Sequence, residues 1–135
     1  MRKLFLPFIV LTFLTLSGYS SAEEIDSILE KAKKENQAVM LELGSVGCKP
    51  CEQMKPVMEK LRTNYKGKLE VLFIDVKKDK ETARRFSVFA IPTQVFLDNE
   101  GKEFHRHIGF YSYEEIMPVL KKAGLQQIPE IMSKN

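Results

Sequence analysis

The sequence predicts an α/β sandwich in which helices cover both sides of a mixed central sheet. Two observations lead to this prediction. Apolar segments with strand character alternate with helical patterns in the order α-β-α-β-α-β-β-α. Such an alternation implies parallel strands joined by crossover helices. The last two strands are separated only by the turn residues Asp98-Asn99-Glu100-Gly101, which predicts an antiparallel hairpin at one side of the sheet.

The first three elements follow from the spacing of apolar residues. A helix that ends near residue 35 is indicated by apolar side chains at the positions i, i+3, i+4 and i+7, which are Ile25, Ile28, Leu29 and Ala32. A short apolar strand, buried on both faces, is predicted over residues 38–43. A long helix follows over residues 49–64, and its apolar side includes Met54, Val57 and Leu61.

The second half of the chain predicts three strands and two helices. A strand over residues 69–76 and a helix over 80–86 precede the hairpin strands 93–97 and 102–108. The final helix begins at a capping box, because Ser112 is followed three residues later by Glu115. It ends before Gly124, which is the residue type that most often stops a helix.

The N-terminal segment, residues 1–22, resembles a secretory signal peptide. Arg2 and Lys3 precede an apolar stretch that ends in the small residues Ser20-Ser21-Ala22. The apolar stretch is shorter than the about 20 residues of a spanning helix, so cleavage is favoured over an uncleaved anchor. We therefore expect an exported protein, periplasmic in a Gram-negative source, with one domain over residues 23–125 and a tail over 126–135.

Cleavage after residue 22 would leave 113 residues, and the formal net charge would fall from +3 to +1. That length is enough for one domain with one core. Lysines and glutamates are interspersed along the chain, so no basic patch is predicted and we expect no nucleic-acid partner.

The only two cysteines, Cys48 and Cys51, stand three residues apart where the first strand gives way to the second helix. The unpaired N–H groups and the dipole at a helix N-terminus stabilise a thiolate, the form of cysteine that attacks disulfides. Cys48 is expected to be the more exposed and more acidic thiol, with Lys49 beside it. Cys51, one turn further, lies on the same side of the helix, so a disulfide between the two forms easily. The pair predicts a redox site.

Two other interpretations of the cysteine pair stay open. Cys48 and Cys51 with His105 and His107 would supply the four ligands of a zinc site, and the two thiolates alone would suit copper(I). A purely structural disulfide is the weaker alternative, since it would close a loop of only a few residues. We expect no bound metal or other cofactor.

Taken over residues 25–125, the chain resembles the thioredoxin-fold family. Pro56, five residues after Cys51, matches the helix proline of that family. The segment Phe86-Ser87-Val88-Phe89-Ala90-Ile91-Pro92-Thr93 resembles the family loop whose proline is cis and faces the cysteines. Gly109 matches the end of the closing hairpin, and Glu42 stands where the family often has a buried acid. The resemblance implies a thioredoxin-like three-layer sandwich.

The resemblance also implies roles for individual residues. Cys48 would attack a partner disulfide, Cys51 would resolve the mixed disulfide, and Glu42 would relay a proton. Ile91 and Pro92 would present backbone to an extended substrate. Gly47, which stands where the family commonly has tryptophan, is expected to be a further substrate contact.

Taken together, these features predict a thiol–disulfide oxidoreductase, similar to the small exported branch of the family rather than to the cytosolic electron carrier. We expect a monomer that exchanges electrons with exported proteins and acts as a reductant supplied by a membrane donor. A disulfide oxidant or isomerase is the alternative enzyme. A copper or zinc carrier that uses the same cysteine pair is the alternative outside catalysis.

Overall fold

The computed structural model describes residues 21–129. Every helix and strand predicted from the sequence is present. In chain order they are α1 (Ser21–Lys34), β1 (Ala38–Gly44), α2 (Lys49–Asn64), β2 (Leu69–Asp75), α3 (Lys80–Arg85), β3 (Thr93–Leu97), β4 (Glu103–Ile108) and α4 (Tyr113–Lys122).

The four described strands form one mixed sheet in the order β2-β1-β3-β4. β1 and β2 are parallel, whereas β3 runs antiparallel to both of its neighbours, β1 and β4. The predicted mixed sheet and the C-terminal hairpin are confirmed. The expectation that the helix before β3 is a crossover between parallel strands is wrong, because β1 and β2 are the only parallel pair among these strands.

The length of α3 explains this difference. Its six residues correspond to about 9 Å of helix, while the seven residues of β2 extend over about 23 Å. A helix this short does not return the chain along the whole sheet, so β3 starts near the end where β2 stops. Thr93, the first residue of β3, therefore pairs with Leu43 near the end of β1. We call this end of the sheet, where β1 and β2 stop and β3 starts, the upper end.

Alternate residues of the central strands enter two apolar clusters on opposite faces of the sheet. Met40 and Phe96 face α2 and α4 and pack with Leu61 and Ile116. On the other face, Leu41 packs in the cluster that also includes Ile25 of α1. The three layers that the resemblance implied are confirmed.

α4 begins at the predicted capping box. The Ser112 hydroxyl accepts a hydrogen bond from the backbone N–H of Glu115 at 3.3 Å, and the Glu115 carboxylate accepts one from the backbone N–H of Ser112 at 3.1 Å. These two bonds satisfy donors that a helix start otherwise leaves free. The helix continues past Pro118 to Lys122.

Within residues 21–129, no helix combines the length and the apolar character needed to cross a membrane. Residues 1–20 of the expected signal segment lie outside the described part, so the cleavage and the proposed domain boundaries stay predictions. The start of the expected tail packs against the domain, since Ile128 donates a backbone hydrogen bond of 2.7 Å to Asn64.

Candidate active site

The two cysteines lie at the upper end of the sheet, as the sequence predicted. After β1, residues 45–47 turn the chain into α2, and Cys48 is the N-cap residue of that helix. A disulfide joins Cys48 and Cys51, whose Cα atoms are 5.2 Å apart. Cys48 is half-buried and Cys51 is only 3% exposed. Cys48 is therefore the more accessible residue of the pair, and Cys51 is enclosed by the protein.

Gly44, the last residue of β1, makes room for the enclosed sulfur. A Cβ at this position would lie 3.0 Å from Sγ of Cys51 and 3.2 Å from Cε2 of Phe73, closer than such contacts normally come. Any larger residue would have to displace the buried thiol or the aromatic ring. This role was not predicted from the sequence, although a glycine at the end of a strand just before a cysteine pair is a usable signal for close approach.

Glu42 lies two residues before Gly44, so both residues are on the same face of β1. This is the face against which Cys51 of α2 packs. Its side chain is fully buried, between Phe73 of β2 and Gln94 of β3 in register. Burial raises the pKa of Glu42 from 4.5 to about 7, while the side-chain amide of Gln94 lowers it by a smaller amount. Neither carboxylate oxygen has a hydrogen-bond partner of normal geometry among the described residues. The buried acid therefore exchanges a proton near neutral pH.

Gln94 is a second buried polar residue that the sequence analysis did not single out. It is fully buried in β3, and its Nε2 donates a hydrogen bond of 3.1 Å to the carbonyl oxygen of Gly109. The N–H of Gly109 in turn donates to the carbonyl oxygen of Pro92 at 2.8 Å. A polar residue in an otherwise apolar strand was the available signal.

The loop before β3 holds Ile91 and Pro92, the two residues for which the resemblance implied a role in substrate contact. The Ile91–Pro92 peptide bond is cis, as expected from the resemblance. Pro92 is buried and Ile91 is half-buried. Thr93 holds the loop, because its hydroxyl donates a hydrogen bond of 2.6 Å to the carbonyl oxygen of Ala90. Gly47, on the neighbouring loop, is exposed and has a φ of +81°.

The large apolar side chains that are exposed in the described chain all lie toward the upper end of the sheet. Val46 precedes the cysteines, and Phe89 precedes the cis proline. The ring of Phe73 lies next to Gly44. Ile108 and Phe110 flank Gly109, which is bonded to Pro92. We call these five residues the apolar rim. Phe89 is the most exposed of them, at 92%. Exposed apolar residues gathered in one region are typical of a binding surface.

The two histidines pack around Tyr111. His105 Nε2 lies 3.0 Å from the Tyr111 hydroxyl, and the His107 ring stacks on the Tyr111 ring with centroids 3.9 Å apart. Burial is the main cause that lowers the pKa of His105, with a smaller contribution from His107. Among residues 21–129, no three His, Cys, Asp or Glu side chains come together as a metal site would require. The four-ligand arrangement considered from the sequence is therefore not formed by these residues.

The chain matches the thioredoxin family model over residues 19–131. A thioredoxin of Staphylococcus aureus is 31% identical over 91 residues, which cover 67% of this chain and 86% of that protein.

Solved structures agree with this match. The Fasciola hepatica thioredoxin structure is 25% identical, with a TM-score of 0.67 over 75% of this chain and 92% of that one. Thioredoxin NaTrxh from Nicotiana alata is 27% identical, with a TM-score of 0.66 over 77% and 88% of the two chains. The chain belongs to the thioredoxin family, and its cysteine pair makes it a thiol–disulfide oxidoreductase.

Proposed function

We propose that this protein reduces disulfides of exported proteins, with Cys48 as the nucleophile and Cys51 as the resolving thiol. The observation that carries the proposal is the unequal burial of the two cysteines at the start of α2. A partner disulfide reaches Cys48 first, because Cys51 is enclosed between α2 and Gly44.

The exchange takes two steps. The Cys48 thiolate attacks one sulfur of the substrate disulfide, which forms a mixed disulfide and releases the other substrate sulfur as a thiolate. Cys51 then loses its proton and attacks the Cys48 sulfur. This closes the Cys48–Cys51 disulfide and expels the second substrate thiolate, so the substrate gains two electrons and the protein loses two.

Glu42 is proposed as the group that takes the Cys51 proton. Burial raises its pKa to about 7, so it is partly ionised at neutral pH and able to accept a proton. It also lies on the same face of β1 as Gly44, against which the Cys51 sulfur packs. An exposed glutamate with an ordinary pKa would be a poorer base for a thiol.

The apolar rim is proposed to hold an extended, apolar stretch of the substrate, with Ile91, Pro92 and Gly47 contributing backbone contacts. Gly47 presents no side chain beside the cysteines, so the rim leaves their approach open from that side. Export is supported by the expected signal segment. The direction of electron flow is supported by Pro50 in the first turn of α2, because ordinary thioredoxins also have a proline before the second cysteine, with glycine in place of Lys49. In the cell we propose a monomer that a membrane donor reduces again.

Trapping of mixed disulfides tests the roles of the two thiols. Reduced Cys51→Ser protein should accumulate covalent complexes with exported proteins, since the first attack proceeds and resolution is lost. Cys48→Ser, the matched control, should accumulate few. In the reduced wild type, iodoacetamide should modify Cys48 faster than Cys51. Equal modification of both thiols, with no trapped complex in either variant, would refute the assignment and favour the metal-carrier alternative.

A redox titration against glutathione buffers tests the direction. Reduction potentials in the family range from about −270 mV for reductants to about −120 mV for strong oxidants. We expect a value near the reducing end. A value near the oxidising end would replace the reductant with a disulfide oxidant or isomerase, for which the positive charge of Lys49 beside Cys48 would be the physical cause.

A further inference from the structure

Glu42 and Gln94 form an isolated polar pair inside an apolar region. They are opposite one another in the antiparallel β1–β3 pair, so their side chains lie on the same face of the sheet. Both are fully buried. A buried amide without partners destabilises a protein, so a glutamine at this place needs a compensating interaction.

One end of the Gln94 amide is fixed by Gly109, the residue that follows β4. Its Nε2 donates to the carbonyl oxygen of Gly109, and Gly109 is itself held by the carbonyl oxygen of Pro92. The carbonyl oxygen of Gly109 can only accept a hydrogen bond. The Gln94 amide is therefore held with its nitrogen, and not its oxygen, toward Gly109. The orientation of Gln94 is therefore set by the same backbone that presents the cis proline.

The other atoms of the amide suit both protonation states of Glu42. The NH₂ group has two N–H donors, and only one is used at Gly109, so the second is available to an ionised carboxylate. The Oε1 atom of Gln94 is buried and has no partner among the described residues, and the same holds for both oxygens of Glu42. When Glu42 is protonated, its O–H can donate to Oε1. An amide is the side chain that offers a donor and an acceptor from one rigid plane.

We propose that Gln94 is a positioning residue for the buried acid, which orients Glu42 for proton exchange with Cys51 and connects it to the hydrogen bond between Gly109 and Pro92. This inference rests on the proposed function, because it assigns a partner to the acid used there. A donor to the carboxylate favours the ionised form. Gln94 therefore makes Glu42 a proton acceptor over a lower and more useful pH range than burial alone would allow.

Other titratable groups lie near this pair, and an experiment has to distinguish their titration from that of Glu42. Cys51 of α2 packs against Gly44 on the same face of β1 and is bonded to Cys48, and His107 of β4 is opposite Gln94 in the β3–β4 register. Phe73 faces it from β2 and does not titrate. His107→Gln is therefore the matched control, since it removes the titratable side chain paired with Gln94 on the β4 side and leaves both Glu42 and the amide in place.

The experiment measures the ionisation of Glu42 directly and the rate of resolution in parallel. In the full-length chain, the side-chain carboxyl carbon of Glu42 is followed by NMR from about pH 5 to about pH 9, a range centred on the raised pKa. Single-turnover resolution of a mixed disulfide at Cys48 is measured over the same range. We expect Gln94→Leu to move both midpoints upward by about one pH unit, since the donor to the carboxylate is lost. His107→Gln should move neither.

The outcomes separate this inference from the proposed function. If Glu42→Gln flattens the pH profile but Gln94→Leu shifts neither midpoint, the role of Gln94 is refuted and that of Glu42 stands. If Glu42→Gln leaves the rate profile unchanged, the proton-transfer role of Glu42 fails, and the NMR midpoint alone decides whether Gln94 tunes the acid. In the Glu42→Gln background, Gln94→Leu should leave the pH profile of resolution unchanged. If the role of Gln94 were merely structural, Gln94→Leu would slow resolution equally in wild type and in Glu42→Gln. Gln94→Met, which keeps an unbranched side chain, is the second variant should Gln94→Leu not fold.

Discussion

Glu42 should make the stability of the oxidised protein depend on pH. Burial raises its pKa in the folded protein to about 7, against 4.5 for the unfolded chain. Below the unfolded value Glu42 is protonated in both states and has no effect on the equilibrium. Between the unfolded and the folded value, the unfolded chain ionises Glu42 in water while the folded protein keeps it protonated, so ionisation favours the unfolded state increasingly as the pH rises. Stability is therefore lost between these two values, and the loss is complete above the folded pKa.

The size of this loss follows from the shift itself. Each unit of pKa difference between folded and unfolded states is worth about 1.4 kcal/mol, so a rise of two to three units corresponds to about 3 kcal/mol. Glutamine, a neutral side chain of the same shape, removes this pH-dependent loss of stability. We expect Glu42→Gln to be more stable than wild type by about 3 kcal/mol at about pH 8.5 relative to their difference at about pH 4.5.

Urea unfolding of the oxidised proteins, followed by circular dichroism at several pH values, measures this double difference. Glu42→Leu should give the same trend and controls for hydrogen bonds made by the new amide. Glu30→Gln, which removes an exposed carboxylate from α1, should not show it. A difference between wild type and Glu42→Gln that stays constant across this pH range would contradict a buried, proton-exchanging acid at this position.

Three further predictions follow from local contacts. Gly44→Ala should destabilise the protein by about 1–3 kcal/mol in urea unfolding, because the added methyl group meets the Cys51 sulfur; an unchanged midpoint would show that the sulfur has room to move. Ser112→Ala should lower stability by about 1 kcal/mol through loss of the capping box, whereas Thr63→Ala, which removes an exposed hydroxyl within a helix, should have a smaller effect in thermal unfolding. Phe89→Ser should raise the KM for a protein disulfide and leave the reduction of a small aromatic disulfide and the stability unchanged, because this side chain is 92% exposed; equal losses for both substrates would argue against a docking role.

Much of the fold was predictable because its signals are local. The apolar periodicity over residues 49–64 and the capping box at Ser112 each specify a helix without reference to the rest of the chain. The direction of β3 was not predictable in this way, since a helix pattern between two strands suggests a crossover and only the length of α3 argues against it. Strand direction depends on how far the connection reaches, which the pattern of residue types does not encode.

The site divides in a similar manner. Cys48, Cys51 and the burial of Glu42 could be predicted because a cysteine pair, or an acid in an apolar strand, is conspicuous in the sequence. Gly44 and Gln94 were missed because their importance lies in partners from other elements, the Cys51 sulfur and the Gly109 carbonyl. These contacts exist only after β1 and β3 have paired and α2 has packed on them.

The position of β4 bears on how the protein avoids unwanted contacts. It is the outer strand on one side of the described sheet, where unpaired backbone groups could recruit a strand from another molecule. Its residues include Glu103 and Arg106, which form an ion pair, and the β3–β4 register is interrupted between Phe96 and Leu97. Charge and irregular pairing both disfavour the addition of a strand. The backbone edge of β4 thus disfavours pairing with another molecule, and contacts between molecules are left to the side chains around the disulfide.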